Sequence, residues 1–100
     1  VELSGRQRKW LRGRAHALEP VVHVGKAGLS EEVVAQVDRA LEAHELIKVR
    51  FGEGREGREG LIAEIERRTG SKSVGRVGHV GIFFRPRADP GERRIVPPEA

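Results

Sequence analysis

The chain has 100 residues, 37% hydrophobic and 34% charged, which suits one globular domain with a small single core. It has no cysteine, so disulfides, thiolate metal sites and thiol nucleophiles are excluded, in keeping with a reducing, cytoplasmic setting. Net charge is +4; no apolar run approaches the ~18 residues of a membrane span, and the first residues lack the apolar stretch of a signal peptide.

The first predicted element is a helix. Ser4 reads as its N-cap, with Gln7 as capping-box partner, and the helix runs to about His16. On a helical wheel Leu3, Trp10, Leu11 and Leu18 share one side, while Arg8, Lys9 and Arg12 share another. One face therefore docks on the core, with Trp10 as its anchor or, alternatively, as a base-stacking ring, and another is a basic stripe. Gly5 and Gly13 weaken the helix locally, so docking must stabilise it.

Pro20 stops the helix and begins a strand, Val21–Val24, in which β-branched residues around His23 read as buried. After Gly25-Lys26-Ala27-Gly28 a second helix spans about Ser30–His44, with Ser30 as N-cap. Val33, Val34, Val37, Ala40 and Leu41 follow the helical period and face the core. Asp38, Arg39, Glu42 and Glu45 read as a solvated, mostly acidic face, and His44 closes the end. Leu46–Phe51 alternates apolar residues with Lys48 and Arg50, the pattern of a half-exposed strand with one basic edge.

Gly52, Gly54, Gly57 and Gly60 mark a mobile turn, and a third helix starts between Arg55 and Gly60. Its core face is Leu61, Ile62 and Ile65, and Thr69-Gly70 ends it with a glycine cap. Strands follow at Ser71–Val77 and His79–Arg85, with a turn at Gly78. In the latter, Val80, Ile82 and Phe84 share one side, and His79, Gly81 and Phe83 the other. Pro86 ends pairing, and Arg87–Ala100 reads as a tail in which Arg93–Val96 pairs weakly. The expected fold is a single α/β domain in the order α-β-α-β-α-β-β, a mixed four-stranded sheet with two βα crossovers and a hairpin.

Charge is unevenly spread. Residues 1–16 hold five basic groups against one acidic, residues 17–47 two against six, and residues 48–100 twelve against eight. A polarised surface of this kind suits a polyanionic partner, although solvated charge also serves solubility. The fifteen arginines against four lysines suit forked phosphate contacts.

Strand, glycine loop and helix start at Val21–Ser30 form a geometry suited to phosphate. GxxG loops of this kind clamp nucleotide backbone in RNA-binding KH domains. The same residues also make a plain βα turn, and Glu31 and Glu32 in the first helical turn would repel an anion. Gly25-Lys26 is not an NTPase loop, because Pro20 occupies the first glycine position and Ala27 replaces the Ser or Thr. His16, His23, His44 and His79 lack zinc-ligand spacing and read as packing or capping residues. No catalytic residue, metal site or cofactor is expected.

Leu3-Ser4, Gln7-Arg8, Leu11-Arg12, Ala15-His16 and Leu18 begin a longer pattern. It continues through Pro20-Val21-Val22, Gly25-Lys26-Ala27-Gly28-Leu29, His44 to Val49, Thr69-Gly70, Gly78-His79 and Arg85-Pro86. This pattern resembles the CRM domain family of chloroplast RNA splicing and ribosome maturation proteins, and is especially similar to its stand-alone bacterial, YhbY-like members. The resemblance covers about residues 3–87. It implies a fold like the C-terminal domain of a bacterial translation initiation factor, and an RNA-binding domain over residues 1–87 followed by a tail over 88–100. It also implies RNA contact through the GxxG loop; bacterial relatives are linked to precursors of the large ribosomal subunit, and plant relatives to group II intron splicing. Two features depart from the family pattern: the glycine-rich stretch after Phe51, and Phe84 where relatives often carry Tyr.

The expected RNA-binding residues are therefore Arg6, Arg8, Lys9 and Arg12 on the first helix, and Gly25, Lys26, Ala27 and Gly28 in the loop. Lys48, Arg50, Arg85 and Arg87 rank second. The expected partner is rRNA of large-subunit precursors, bound by a monomer. The competing expectation is a protein-interaction module whose acidic second helix contacts a basic ribosomal protein.

Overall fold

A computed structural model describes residues 2–52 and 57–100. The elements are α1 (Gly5–Ala15), β1 (Pro20–Val24), α2 (Glu31–His44), β2 (Leu46–Phe51), α3 (Arg58–Thr69), β3 (Lys72–Val77) and β4 (Val80–Phe84), followed by a 3-10 turn at Pro90–Glu92. The strands form one sheet in the order β1-β2-β4-β3. β1 runs parallel to β2, and β4 lies antiparallel to both β2 and β3. Both βα crossovers and the final hairpin are present, with β4 inserted between β2 and β3.

Local chemistry accounts for the helix ends. Ser4 and Gln7 close a reciprocal capping box at α1, and the Ser30 hydroxyl accepts from the Val33 N–H at α2. Gly70 ends α3 at φ +71, a left-handed conformation that glycine adopts without Cβ strain. The expectations for residues 53–56, including a helix start at Arg55, lie outside the described residues; α3 begins at Arg58 after Gly57 at φ +78.

Period-two alternation splits the sheet into two faces. Val22, Val24, Ile47, Val49, Phe51 and Phe83 pack with Val37 and Leu41 of α2 and Ile62 and Ile65 of α3. Leu46, Val74, Ile82 and Phe84 face the other way, against Leu11 and Ala15 of α1. Gly81 makes room on the first of these faces: a Cβ there would lie 3.0 Å from ring carbons of both Phe51 and Phe83. Eleven residues of α1 extend only ~16 Å, and the helix leaves part of its sheet face open. That open part carries the candidate site.

Several expectations are corrected. Leu18 follows the end of α1 and is 38% exposed, and Val21 is 50% exposed because it points away from the core between Pro20 and Val22. β2 is an inner strand, so Lys48 and Arg50 project from a face rather than an edge. Glu45 is fully buried instead of solvated. It caps α2 at φ +65, and its carboxylate accepts from the N–H groups of Arg87, Arg94 and Ile95. Arg93–Val96 accordingly forms no strand: two of its N–H groups go to Glu45, and Ile95 packs beside α1. Further on, the Pro98 carbonyl accepts from Gln7 Nε2.

Candidate nucleic-acid interface

Parallel pairing of β1 and β2 brings Val24 beside Phe51, and antiparallel pairing brings Val80 beside Arg50. The Gly25–Gly28 loop, Gly52 and the Gly78-His79 turn therefore gather at one end of the sheet. The Gly28 N–H donates to the Gly25 carbonyl at 3.0 Å, closing the loop as a tight turn with Gly28 at φ +77. Lys26 and Ala27 form its exposed tip. The start of α2 is not itself an anion site, because Glu31 and Glu32 place negative charge on its first turn. What the loop offers is a close backbone approach and the Lys26 ammonium.

On the open part of the sheet face lies a groove of about 960 Å³, between the end of α1 and the strands. Lys9, Arg12 and His16 line one wall; Lys48, Arg50, Val77, Val80 and Ile82 form the floor. A second cavity of about 430 Å³ lies at the loop end, among His23, Gly25, Arg50, Gly52 and His79. Arg50 lines both, so one basic track runs from α1 across the sheet to the glycine loop. Lys48 and Arg50, two residues apart on one face, stand roughly 6.6 Å apart along the strand.

Hydrogen bonding divides the expected residues into two groups. Arg6, Lys9, Lys26 and Arg50 have no hydrogen-bond or ion-pair partner among the described residues, and all are exposed. Arg8 and Arg12 donate to the Ser73 and Val74 carbonyls at the register shift in β3, which fastens α1 to the sheet. Arg12 still reaches the groove, because a guanidinium carries five N–H donors. Lys48 donates to the Leu18 carbonyl at 2.9 Å, holding the chain as it leaves α1. Arg6 lies on the outer side of α1 beside Trp10 and Pro98.

Arg85 and Arg87 stand apart from this surface. They follow β4 at the opposite end of the sheet, where Phe84 pairs with Leu46. Arg85 donates to Asp38 Oδ1 and the Thr69 carbonyl, both at 2.7 Å, and to Glu42 Oε2 at 3.2 Å. Arg87 donates to the carbonyls of Glu42, Ala43 and Glu92. Both bind the last turn of α2 and are not placed to join the groove.

The histidines are not core-packing residues. All four are exposed, and three of them, His16, His23 and His79, line the track. For His23 the signal was its place between Val22 and Val24, which turns it away from the core. Arg58, 6% exposed, donates to the Gly78 carbonyl at 2.8 Å and to His79 Nδ1 at 2.7 Å. A guanidinium only donates, so Nδ1 accepts and the His79 proton sits on Nε2. Trp10 is half-buried against the α1 core, with the Arg14 guanidinium 5.2 Å from its ring centroid. Among the described residues no group of three His, Asp or Glu side chains could hold a metal ion, and no helix is long and apolar enough to cross a membrane.

Fold and surface together define a small α/β domain with one open, basic sheet face. Residues 3–85 match the CRS1 / YhbY (CRM) domain, and the chain belongs to that family. It is similar to a Haemophilus influenzae protein named RNA-binding protein, at 44% identity over 85 residues covering 84% of this chain and 86% of the relative. YqeI of Bacillus subtilis, named a probable RNA-binding protein, is 34% identical over 84 residues covering 83% of this chain and 88% of its own. The solution structure of SAV1595 from Staphylococcus aureus superposes with a TM-score of 0.80 at 29% identity, covering 95% of this chain and 100% of that one.

Proposed function

We propose that this chain binds RNA along the basic track and the Gly25–Gly28 loop, as a cytoplasmic monomer acting on rRNA in precursors of the large ribosomal subunit. The observation that carries the reading is Arg50, an uncommitted guanidinium shared by the α1 groove and the loop cavity. Lys9 and Lys26, equally uncommitted, extend the charge to either side. Relatives named as RNA-binding proteins support the ligand class; likeness to the stand-alone bacterial members supports the ribosomal setting. A protein-binding role for the acidic α2 face is less well supported, since Asp38 and Glu42 already pair with Arg85.

Two measurements test this. With about four phosphate contacts, log affinity for rRNA fragments should fall against log salt with a slope of about −3 to −4, at roughly −0.7 to −0.9 per contact. A flat response, or no binding at low salt, removes the basic-track reading. In a sucrose gradient of cell lysate the protein should sediment with the large subunit and its precursors. Confinement to the free fraction or to the small subunit removes the ribosomal assignment and leaves RNA binding to stand on the salt series.

A further inference from the structure

Proteins that grip unpaired RNA without sequence preference usually pair a cationic groove with aromatic faces on which bases stack. This chain has four Phe, Tyr or Trp rings in all. Phe51, Phe83 and Phe84 are 4%, 0% and 2% exposed, inside the two cores. Trp10 is half-buried, with the Arg14 guanidinium 5.2 Å from its ring centroid, and lines a separate cavity with Arg6 and Lys9 rather than the groove. The exposed rings on the track are imidazoles, and His79 is held at its Nδ1 edge by Arg58. The groove floor between the cations is aliphatic, built of Val77, Val80 and Ile82. Such a floor meets ribose or the shallow groove of a helix well and itself gives a splayed base no π face; the imidazole at its wall is His16.

The cations lie on separate elements: Lys9 and Arg12 on α1, Lys48 and Arg50 on β2. Positive charge brought by these two elements around one open groove suits the phosphates that border the wide, shallow minor groove of A-form RNA. The His79 Nε2–H adds a directional donor in the loop cavity, of the kind a ribose 2′-hydroxyl can accept.

We propose that the RNA taken by this track is helical, recognised by its A-form backbone and 2′-hydroxyls rather than by its bases. The inference rests on the RNA-binding reading above and narrows its ligand class. The test is fluorescence anisotropy with the full chain at fixed salt, using four probes. Two are RNA duplexes of about 16 base pairs and unrelated sequence, a length typical of duplex-binding modules. The third is an unstructured single strand with the same number of phosphates, which equalises charge. The fourth is a DNA duplex matching one of the RNA sequences. Both RNA duplexes should bind at least about tenfold more tightly than the single strand or the DNA, and within about threefold of one another. A single strand that binds as tightly as the duplexes overturns the inference while leaving RNA binding intact. DNA binding equal to RNA overturns it too, because the A-form backbone is then not what is read. Failure of all four probes overturns the RNA-binding reading as well.

Discussion

Glu45→Ala is expected to lower the unfolding free energy by about 2–4 kcal/mol, since a buried carboxylate accepting three backbone N–H groups is removed and those donors are left unpaired. For a domain of this size the melting temperature should fall by more than about 10 °C. Burial alone would raise the pKa of this carboxyl. The N–H groups of Arg94, Arg87 and Ile95, with the Arg87 charge, outweigh it and hold the pKa below the ordinary glutamate value. The ionised form is thus favoured by folding. Its contribution is fully present above the unfolded-state pKa and is lost as pH falls through the lower, folded-state value. Glu45→Gln keeps one acceptor oxygen and does not titrate, so its deficit against the parent should shrink on acidification. Urea unfolding of parent and Glu45→Gln, at neutral pH and at about pH 3, checks this; a deficit unchanged between the two would show that the ionised clamp is not what holds the C-terminal segment.

The Glu45 clamp has no local signature in the sequence. Local rules read the helix ends correctly, because each cap and its partner lie within three or four residues: Ser4 with Gln7, Ser30 with Val33, Gly70 with Glu66. The two sheet faces were also legible, since alternation in β4 separates Ile82 and Phe84 from Phe83. Glu45 sits in register with acidic Asp38 and Glu42, and its partners are 42 to 50 residues away. Arg85 and Arg87 pose the same problem. Beside apolar β4 they look like free basic groups, and only the return of the chain past α2 shows what they hold.

The candidate interface was legible in composition but not in arrangement. Charge and period single out Lys9, Arg12, Lys48 and Arg50, yet α1 and β2 are far apart in sequence, and only packing shows that they share a groove. A sequence also does not distinguish a cation that fastens the fold from one left over. Arg12 shows the difference: its stem crosses Gly75, where a Cβ would come within 2.5 Å of its Cδ, before its guanidinium reaches the Val74 carbonyl. Arg50, in contrast, projects from an inner strand with nothing to bond among the described residues.

That distinction leads to opposite expectations for two variants. In Lys26→Ala/Arg50→Ala both lost groups are exposed, so the stability change should stay within about 0.5 kcal/mol per site. RNA affinity should drop roughly tenfold or more, about equally for unrelated sequences, and the salt slope should flatten by about two contacts' worth. Arg85→Ala should behave in reverse. Its guanidinium, 18% exposed, donates to Asp38, Glu42 and the Thr69 carbonyl, tying β4 to the ends of α2 and α3. Removing it should cost about 1–3 kcal/mol, while RNA affinity well below the melting temperature changes by less than about twofold. Thermal melts and anisotropy titrations of both variants beside the parent provide the test. Wild-type binding by the double variant would mean that RNA, if bound, lies elsewhere than the Arg50 track. Loss of binding in Arg85→Ala without loss of stability would move the interface to the opposite end of the sheet, where this chain keeps its cations engaged with its own acids and carbonyls.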